Sequence, residues 1–315
     1  MRPISSQRKS CLVLGANGFI GSHIVDRLAA EGALTVRAFD RFSRAPQFHL
    51  APTVTVLKGD VRSDKTLDKA LAGTDYVIHC LSATSPFTAE DNPVADIKNL
   101  LRSVEIFDHC VRAGVKKIVF ISSGGAVYGK MAEKKQVNEQ DAPMPVSPYG
   151  ICKLSIEHYL EYFKRKHQID YVVYRLTNPY GPRQIFKQNQ GVIPAFLHRI
   201  LQDQEITVFG DGSHSRDYIY IEDAVDMITR TFQLPNKHPI YNIGSGTQTT
   251  LNEILTLLKH IFDKEITVTR RPAPTTFLKK TDVSIQRFCA EFGEPTLTPF
   301  YDGLSKTIAN ARVQS

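Results

Sequence analysis

Short apolar runs alternate with amphipathic segments through the first half of the chain. The runs are typical of buried parallel strands, and we place them at CLVLG (11–15), LTVRAFD (34–40), TVTVLKGD (53–60), DYVIHCLSA (75–83), KIVFISS (117–123) and YVVYRLTN (171–178). Apolar residues at helical spacing predict helices over about 19–31, 94–113 and 147–167. This alternation predicts an α/β fold with a doubly wound parallel sheet of the Rossmann type.

The pattern changes after residue 178. Pro179, Gly181 and Pro182 interrupt the alternation, and shorter strands near 205–209, 217–221 and 240–246 follow among helices at about 192–203 and 222–233. We therefore predict a nucleotide-binding domain over 1–178 and a smaller C-terminal α/β lobe for the substrate over 179–315. The boundary is approximate, and some interleaving of the chain between the two parts is expected.

The composition excludes several classes of protein. The chain has 315 residues, a net charge of +7 and five cysteines without CxxC or His-Cys clustering, so we expect no metal site and no disulfide framework. Lys and Arg are scattered and no nucleic-acid-binding motif is present, so nucleic acid is not an expected partner. The absence of a membrane-length apolar run or signal-peptide core predicts a cytoplasmic protein that does not bind membranes.

The segment GANGFIG carries Gly15, Gly18 and Gly21 directly after a predicted strand and at a predicted helix start. In that context the glycines permit a tight turn, close approach of a pyrophosphate and close helix–strand packing. The backbone N–H groups of the first helical turn, at Phe19 and Ile20, then face the phosphates. The sequence therefore predicts a dinucleotide site.

The end of the second strand indicates which dinucleotide binds. Asp40 is placed to accept a hydrogen bond from an adenosine ribose 2′-hydroxyl and would repel a 2′-phosphate, which favours NAD over NADP. Arg41 is a signal in the other direction, because an arginine there could pair with that phosphate. Asp60 and Val61, after the third strand, are candidates for adenine contact, with Asp60 equally readable as a turn residue.

The run SPYGICK places Tyr149 and Lys153 one helical turn apart, on the same face of a helix. A lysine ammonium beside a phenol favours the phenolate and lowers the pKa of the tyrosine toward working pH. Tyr149 is therefore predicted as a general base that deprotonates a hydroxyl while a nicotinamide takes hydride from the same carbon.

Together these motifs resemble the extended short-chain dehydrogenase/reductase superfamily, and within it the NAD-dependent nucleotide-sugar epimerases of the UDP-glucose 4-epimerase type. The resemblance runs from Leu12 to about Leu304. It rests on the segments GANGFIG, HCLSA, SSGGAVYG, SPYGICK, NPYGPRQ, GDGSHSRDYIYIEDA and YNIGSG.

The resemblance implies NAD as cofactor, a UDP-sugar as substrate and catalysis by Ser123, Tyr149 and Lys153, with Ser122 as the alternative to Ser123. The resemblance also implies that Tyr149 and Lys153 contact the cofactor, with Lys153 holding the nicotinamide ribose. Further cofactor contacts are implied for Leu81, Asn99 and Ser122. Substrate contacts are implied for Ser123 and for four residues of the second half: Asn178, Val192, Arg216 and Arg271. The two arginines are expected to clamp the diphosphate, since guanidinium groups bind it in bidentate fashion.

Related activities of the superfamily are weighed against the residues that follow Ser123. A 4,6-dehydratase needs an acid/base pair there, and a UDP-glucuronate decarboxylase carries a glutamate in this loop. The chain has Gly124 and Gly125, which cannot transfer protons. A 4-keto-sugar reductase needs exchangeable NADPH, which Asp40 disfavours. A non-catalytic dinucleotide sensor would not need Ser123, Tyr149 and Lys153 together.

The identity of the sugar is left open between glucose or galactose, N-acetyl and uronic forms, whose contacts come from loops 82–88 and 185–191. Lys279 and Lys280 fall near the position that lines the far side of the sugar, where they would suit a uronic acid unless both are solvated. The resemblance also implies a homodimer through a four-helix interface, built from the helices at 94–113 and 147–167 of each subunit.

Overall fold

The computed structural model describes residues 8–82, 84, 88–131, 136–184, 191–273 and 278–314. The strands that it contains within these ranges are β1 Ser10–Leu14, β2 Thr35–Asp40, β3 Val54–Lys58, β4 Tyr76–His79, β5 Lys117–Ser123, β6 Asp170–Leu176, β7 Asn178–Tyr180, β8 Ile206–Phe209, β9 Ser215–Arg216, β10 Tyr218–Tyr220, β11 Ile240–Ile243, β12 Thr249–Thr250, β13 Val268–Arg271 and β14 Lys280–Thr281.

The helices in the same ranges include all three long helices predicted for the first half. They are α1 Phe19–Glu31, α2 Asp64–Leu71, α3 Thr88–Asp91, α4 Pro93–Arg112, α5 Gly124–Tyr128, α6 Pro148–His167, α7 Val192–Leu201, α8 Ile221–Thr231, α9 Leu251–Phe262, α10 Gln286–Phe292 and α11 Phe300–Gln314.

Seven parallel strands form the main sheet, in the order β11-β6-β5-β4-β1-β2-β3. The order reverses between β1 and β4, and at such a switch point the loops after the strands part to leave a crevice for a ligand. The predicted doubly wound α/β fold is confirmed. The edge strand β11 comes from the second half of the chain, so that half contributes to the main sheet. The separate C-terminal lobe stays a prediction.

Alternate residues of β1 divide between two cores because successive side chains of a strand point to opposite faces. Cys11 and Val13 pack on the face covered by α1 and α8. Leu12 and Leu14 pack on the other face, with α2, α4 and α6. Burial on both faces explains why β1 is a continuous apolar run rather than an alternating one.

The two long helices beside the switch point start at defined caps. The Asn92 side chain accepts a hydrogen bond from the backbone N–H of Ala95 at 3.2 Å, and Pro93 is the first residue of α4. The Ser147 hydroxyl accepts from the N–H of Gly150 at 3.2 Å, and Pro148 is the first residue of α6. These caps fix where each helix begins, and so which of its residues reach the carboxyl edge of the sheet.

Candidate active site

The glycine loop after β1 forms a cradle at the switch point. Gly15 has φ +81°, and its N–H donates to the carbonyl oxygen of Phe39 at 3.0 Å, which ties the loop to β2. A Cβ on Gly21 would lie 2.2 Å from the carbonyl oxygen of Gly15, so only glycine lets α1 approach the loop this closely. The turn therefore aims the start of α1, with Gly18, Phe19 and Ile20, at the space above the strands.

Asp40 is fixed beside this cradle at the end of β2. One carboxylate oxygen accepts from the N–H of Asn17 at 3.0 Å and the other from the N–H of Arg41 at 2.7 Å. The Arg41 side chain is exposed. The half-buried carboxylate has lone pairs left to accept from the 2′-hydroxyl of an adenosine ribose. Its negative charge would repel the 2′-phosphate of NADP. The cradle and Asp40 together fit NAD, as the sequence predicted.

The proposed catalytic residues meet where β5, two strands away from β1 in the sheet, ends under α6. The ammonium of Lys153 is buried, donates to the carbonyl oxygen of Ile121 at 2.8 Å and lies 5.7 Å from the centre of the Tyr149 ring. The Ser123 side chain lies close enough to Tyr149 to act on the pKa of its phenol, and it accepts from the N–H of Ala126 at 3.4 Å, which makes it the N-cap of α5. The structure thus brings Ser123, Tyr149 and Lys153 together beside the cradle.

Comparison with known proteins agrees with this geometry. The sequence model of the NAD-dependent epimerase/dehydratase family matches residues 11–244 of the chain. The chain belongs to this family. UDP-glucose 4-epimerase of Mycolicibacterium smegmatis is 34% identical over 254 residues, which cover 78% of this chain and 80% of that protein.

Two further comparisons span nearly the whole chain. The dTDP-4-dehydro-6-deoxyglucose reductase of Escherichia coli is 32% identical over 318 residues, covering 98% of this chain and 99% of that protein. The crystal structure of UDP-glucose 4-epimerase from Thermotoga maritima with UDP-glucose superposes with a TM-score of 0.86 at 32% identity, covering 97% of this chain and 99% of that one. The expected resemblance, and NAD as the cofactor of this family, are confirmed.

Burial dominates the electrostatics of the catalytic pair. It raises the pKa of Tyr149 above its ordinary value, with the hydrogen bond from Ser123 acting in the opposite direction. It also lowers the pKa of Lys153 to about 8. The sequence predicted a lowered pKa for Tyr149, but the surrounding protein groups raise this pKa. Desolvation of the phenolate outweighs the effect of the neighbouring polar groups.

Two of the predicted cofactor residues, Leu81 and Asn99, border the glycine loop or α6. The Leu81 side chain is close to Gly15, since a Cβ on that glycine would lie 3.1 Å from Leu81 Cδ2. Asn99, half-buried on α4, donates to the Cys152 sulfur on α6 at 3.8 Å. The predicted contact of both residues with the cofactor stays a prediction.

Two other predicted cofactor residues have side chains that are already engaged. The Asp60 carboxylate pairs with Arg62 at 2.6 Å, and that guanidinium lowers the pKa of Asp60 to about 2. This pairing favours the turn-residue interpretation of Asp60, beside a half-buried Val61. The buried Ser122 hydroxyl donates to Glu157 at 2.5 Å, so the structure favours Ser123 over Ser122 as the partner of Tyr149.

The sequence analysis did not find a buried polar cluster between β4, α4 and α6. His79 is buried, its Nδ1 accepts from the N–H of Leu81 at 3.3 Å, and burial lowers its pKa to about 3. Asp96 is 2% exposed and accepts from the Thr84 hydroxyl at 2.5 Å, while its other oxygen has no partner among the described residues. No neighbour in the sequence reveals these contacts, because they depend on how β4, α4 and α6 pack together.

Of the predicted substrate residues, Asn178 and Arg216 lie beside Asp217, next to the residues that follow β6 and β11. The Asn178 amide donates to the carbonyl oxygen of Asp217 at 2.9 Å, and Val192 is the first residue of α7 after Gly191. The Arg216 guanidinium donates to the carbonyl oxygens of Ser215 and Leu278, at 2.8 and 2.7 Å.

Arg271 is an exposed residue of β13, which pairs with β8, whereas Arg216 belongs to β9 in another small sheet. Joint action of the two arginines on a diphosphate stays a prediction. The Lys279 side chain is exposed, and Lys280 pairs with Asp282 at 2.6 Å. Loop residues 83, 85–87 and 185–190, to which sugar contacts were assigned, fall outside the described residues.

Asp217 organises the floor of this region. It is 1% exposed and accepts hydrogen bonds from the N–H groups of Ser245 and Gly246, at 2.8 and 3.0 Å, and from the Thr177 hydroxyl at 3.3 Å. Burial nonetheless raises its pKa to about 6.

Within the part of the chain that the structure describes, no helix is long and apolar enough to cross a membrane. The same part contains no His/Cys/Asp/Glu group suited to a metal ion.

Proposed function

We propose that the protein is an NAD-dependent 4-epimerase of a UDP-sugar. The observation that carries this proposal is the meeting of Ser123, Tyr149 and Lys153 beside a dinucleotide cradle, in a chain of the NAD-dependent epimerase/dehydratase family. The 34% identity to a UDP-glucose 4-epimerase, and the fold shared with another one, support the UDP-sugar as substrate.

The residues of the chain act on the sugar hydroxyl at C4. Ser123 orients that hydroxyl, and Tyr149 removes its proton as the carbinol becomes a ketone. Bound NAD would supply the hydride acceptor and donor for C4, and its positive charge would favour the phenolate of Tyr149 over the phenol. Lys153, held by Ile121, binds the nicotinamide ribose and adds a second positive charge next to Tyr149.

Inversion requires the 4-keto sugar to turn its other face while its diphosphate stays anchored. We assign the anchoring to Asn178, Val192, Arg216 and Arg271. Binding energy from the nucleotide then keeps the ketone within the site for the return step, in which Tyr149 reprotonates O4. The reaction has no net redox change, so NAD remains bound through turnover.

Reduction of a nucleotide-linked 4-keto sugar is the second candidate. It is favoured by the 32% identity to a dTDP-4-dehydro-6-deoxyglucose reductase over nearly the full length of both chains. A reductase of this kind needs exchangeable NADPH, whereas the carboxylate of Asp40 favours NAD. Dehydration and decarboxylation are less suited to the loop that contains Gly124 and Gly125.

Incubation with separate UDP-sugars tests the proposal. The purified protein, without added cofactor, is given UDP-glucose, UDP-N-acetylglucosamine or UDP-glucuronate, and the anomeric protons are followed by NMR. We expect a C4 epimer from at least one sugar. No epimer from any of them, together with NADPH consumption by a 4-keto sugar, would replace the epimerase with the reductase.

We further propose a cytoplasmic homodimer through α4 and α6. These helices pack side by side and carry six exposed large apolar side chains: Val94, Ile97, Leu101, Ile151, Tyr159 and Tyr162. Such a stripe on paired helices suits a second copy of the same surface, which would complete a four-helix interface. We expect Ile97→Glu with Leu101→Glu to yield a monomer in sedimentation, while Leu50→Glu, at an exposed site outside these helices, should not. A monomeric wild-type protein would contradict the interface.

A further inference from the structure

Three consecutive residues at the end of β5 each face a different residue of α6. The carbonyl oxygen of Ile121 accepts from Lys153, the Ser122 hydroxyl donates to Glu157, and the Ser123 side chain lies close enough to Tyr149 to act on the pKa of its phenol. Tyr149, Lys153 and Glu157 are spaced four residues apart, so they form one row along α6. The strand end and the helix are thereby joined at three successive points.

Glu157 is the fixed end of this row. It is 4% exposed, and both of its oxygens accept from the Arg175 guanidinium, with the shortest contact at 2.6 Å. Arg175, on β6, also lies over the ring of Tyr128, with 4.8 Å from the guanidinium carbon to the ring centre. The carboxylate is therefore clamped between α6 and β6, and its bond to Ser122 extends the clamp to β5.

The ion pair by itself is weak support for a purely stabilising role. Desolvation of two buried charges offsets most of their attraction, and well-packed apolar pairs are often as stable. The hydrogen bond that the Ser122 hydroxyl donates to Glu157 has a further effect. It restrains the residue that lies between Ile121 and Ser123, which face Lys153 and Tyr149. A charge-assisted bond of this kind restricts the strand end more than a neutral one would.

We propose that Glu157 is a positioning residue, which holds Ser122 so that Ser123 and the carbonyl oxygen of Ile121 stay in register with Tyr149 and Lys153. This inference rests on the proposed function, in which those residues act at the C4 hydroxyl. Glu157 touches neither of the expected ligands; it acts through Ser122.

Loss of the tether would change both geometry and ionisation at Tyr149. The groups that act on its phenol are Ser123 at the end of β5, Asp96 on α4 and Cys152 on α6, with Lys153 over the ring. Among these, the Ser123 hydrogen bond favours the phenolate. A displaced Ser123 would therefore raise the pKa of Tyr149 further and lower the rate at a given pH.

Ser122→Ala removes the tether and leaves the ion pair intact. Ser155→Ala is the matched control, since Ser155 is on the same helix and bonds only within it, to the carbonyl oxygen of Ile151 at 2.8 Å. We expect Ser122→Ala to lower kcat by about 10- to 100-fold, the scale of a small misplacement, with KM for the UDP-sugar changed less than about 3-fold. Ser155→Ala should match the wild type in both.

A double-mutant comparison separates tethering from direct action of Ser122. Glu157→Leu combined with Arg175→Met removes the buried pair as a unit and should lose a similar factor in kcat. Adding Ser122→Ala to that protein should then cost little more, because the two changes break the same link. Independent, multiplying losses would show that Ser122 acts on the ligands itself and would overturn the proposal.

The second readout does not depend on turnover. The phenolate absorbance of Tyr149 in the NAD-loaded protein, taken as the difference from the Tyr149→Phe variant, is followed over neutral to alkaline pH. We expect its midpoint to rise in Ser122→Ala and to stay in place in Ser155→Ala. An unchanged midpoint in Ser122→Ala would overturn the positioning role. If the midpoint rises in that variant but the wild type turns over no UDP-sugar, only the proposed function is overturned.

Discussion

Lys153 donates a hydrogen bond to the carbonyl oxygen of Ile121 at 2.8 Å, so the helix α6 holds its ammonium directly over the end of β5. The same ammonium lies 4.7 Å from the centre of the Phe120 ring, in a cation–π contact. These contacts compensate a buried charge before any ligand arrives. The site is thus arranged in advance, and the reaction needs little movement of the protein groups at C4.

Removal of the Tyr149 hydroxyl should abolish proton transfer while leaving the fold intact. Tyr149→Phe is expected to lower kcat by about 10²- to 10⁴-fold, the usual contribution of a general acid–base group. Retention of NAD, measured by absorbance of the cofactor released on denaturation, should be unchanged. Tyr301→Phe, at an exposed tyrosine of α11, is the control. A Tyr149→Phe variant with near-normal kcat would show that another group is the base.

The ionisation of Lys153 predicts the alkaline limit of activity. Burial lowers its pKa to about 8, so the ammonium is present below that pH and lost above it. Because its positive charge favours the Tyr149 phenolate, kcat should decline as the pH rises past about 8. A pH–rate profile with saturating UDP-sugar measures this limb. A rate that continues to climb well beyond that pH would contradict the role of the charge.

The approach of α1 to the glycine loop should not tolerate a side chain at Gly21. Its Cβ would meet the backbone of Gly15 at 2.2 Å, so Gly21→Ala is expected to lower the free energy of unfolding by about 1 to 3 kcal/mol and to release NAD. The control is Ala30→Gly at an exposed position of α1, which should cost only about 1 kcal/mol and retain NAD. Thermal unfolding and cofactor content measure both effects.

Asp217 gives stability a specific dependence on pH. Its pKa is raised by burial from 3.8 to about 6, so between these values the folded protein keeps a proton that the unfolded chain has released. The free energy of unfolding should therefore fall as the pH rises through this window. Asp217→Asn should remove that slope, and Asp211→Asn, at an exposed site, should preserve it. Denaturant unfolding at several pH values measures this dependence. If the free energy of unfolding of Asp217→Asn falls with pH as steeply as that of the wild type, the assignment to Asp217 is contradicted.

Local signals were sufficient for most of the fold. Helix α1 begins and ends where the sequence predicted, and β5 spans the predicted 117–123, because a buried parallel strand is a continuous apolar run between turn residues. Helix α2, at Asp64–Leu71, was not predicted, since its eight residues place only Leu67, Ala70 and Leu71 in the core. The position of β11 in the main sheet depends on pairing with β6, which no local pattern specifies.

The candidate site was predictable where one motif contains the whole arrangement, as in Tyr149 and Lys153 one helical turn apart. It was less so where burial decides the chemistry. The raised pKa of Tyr149 comes from desolvation by several elements, and neither Asp96 nor Glu157 has a sequence neighbour that reveals its contacts. Such groups become visible only once α4, α6 and β5 are packed together.

The fate of the C4 hydrogen tests the central claim most directly. UDP-glucose labelled with deuterium at C4, or another UDP-sugar so labelled if that is the substrate, is converted in ordinary water without added cofactor, and the epimer is examined by NMR and mass spectrometry. The account predicts that the product keeps the deuterium at C4, since hydride returns to the carbon it left. Loss of the label to water, or release of a keto sugar with reduced cofactor, would contradict it.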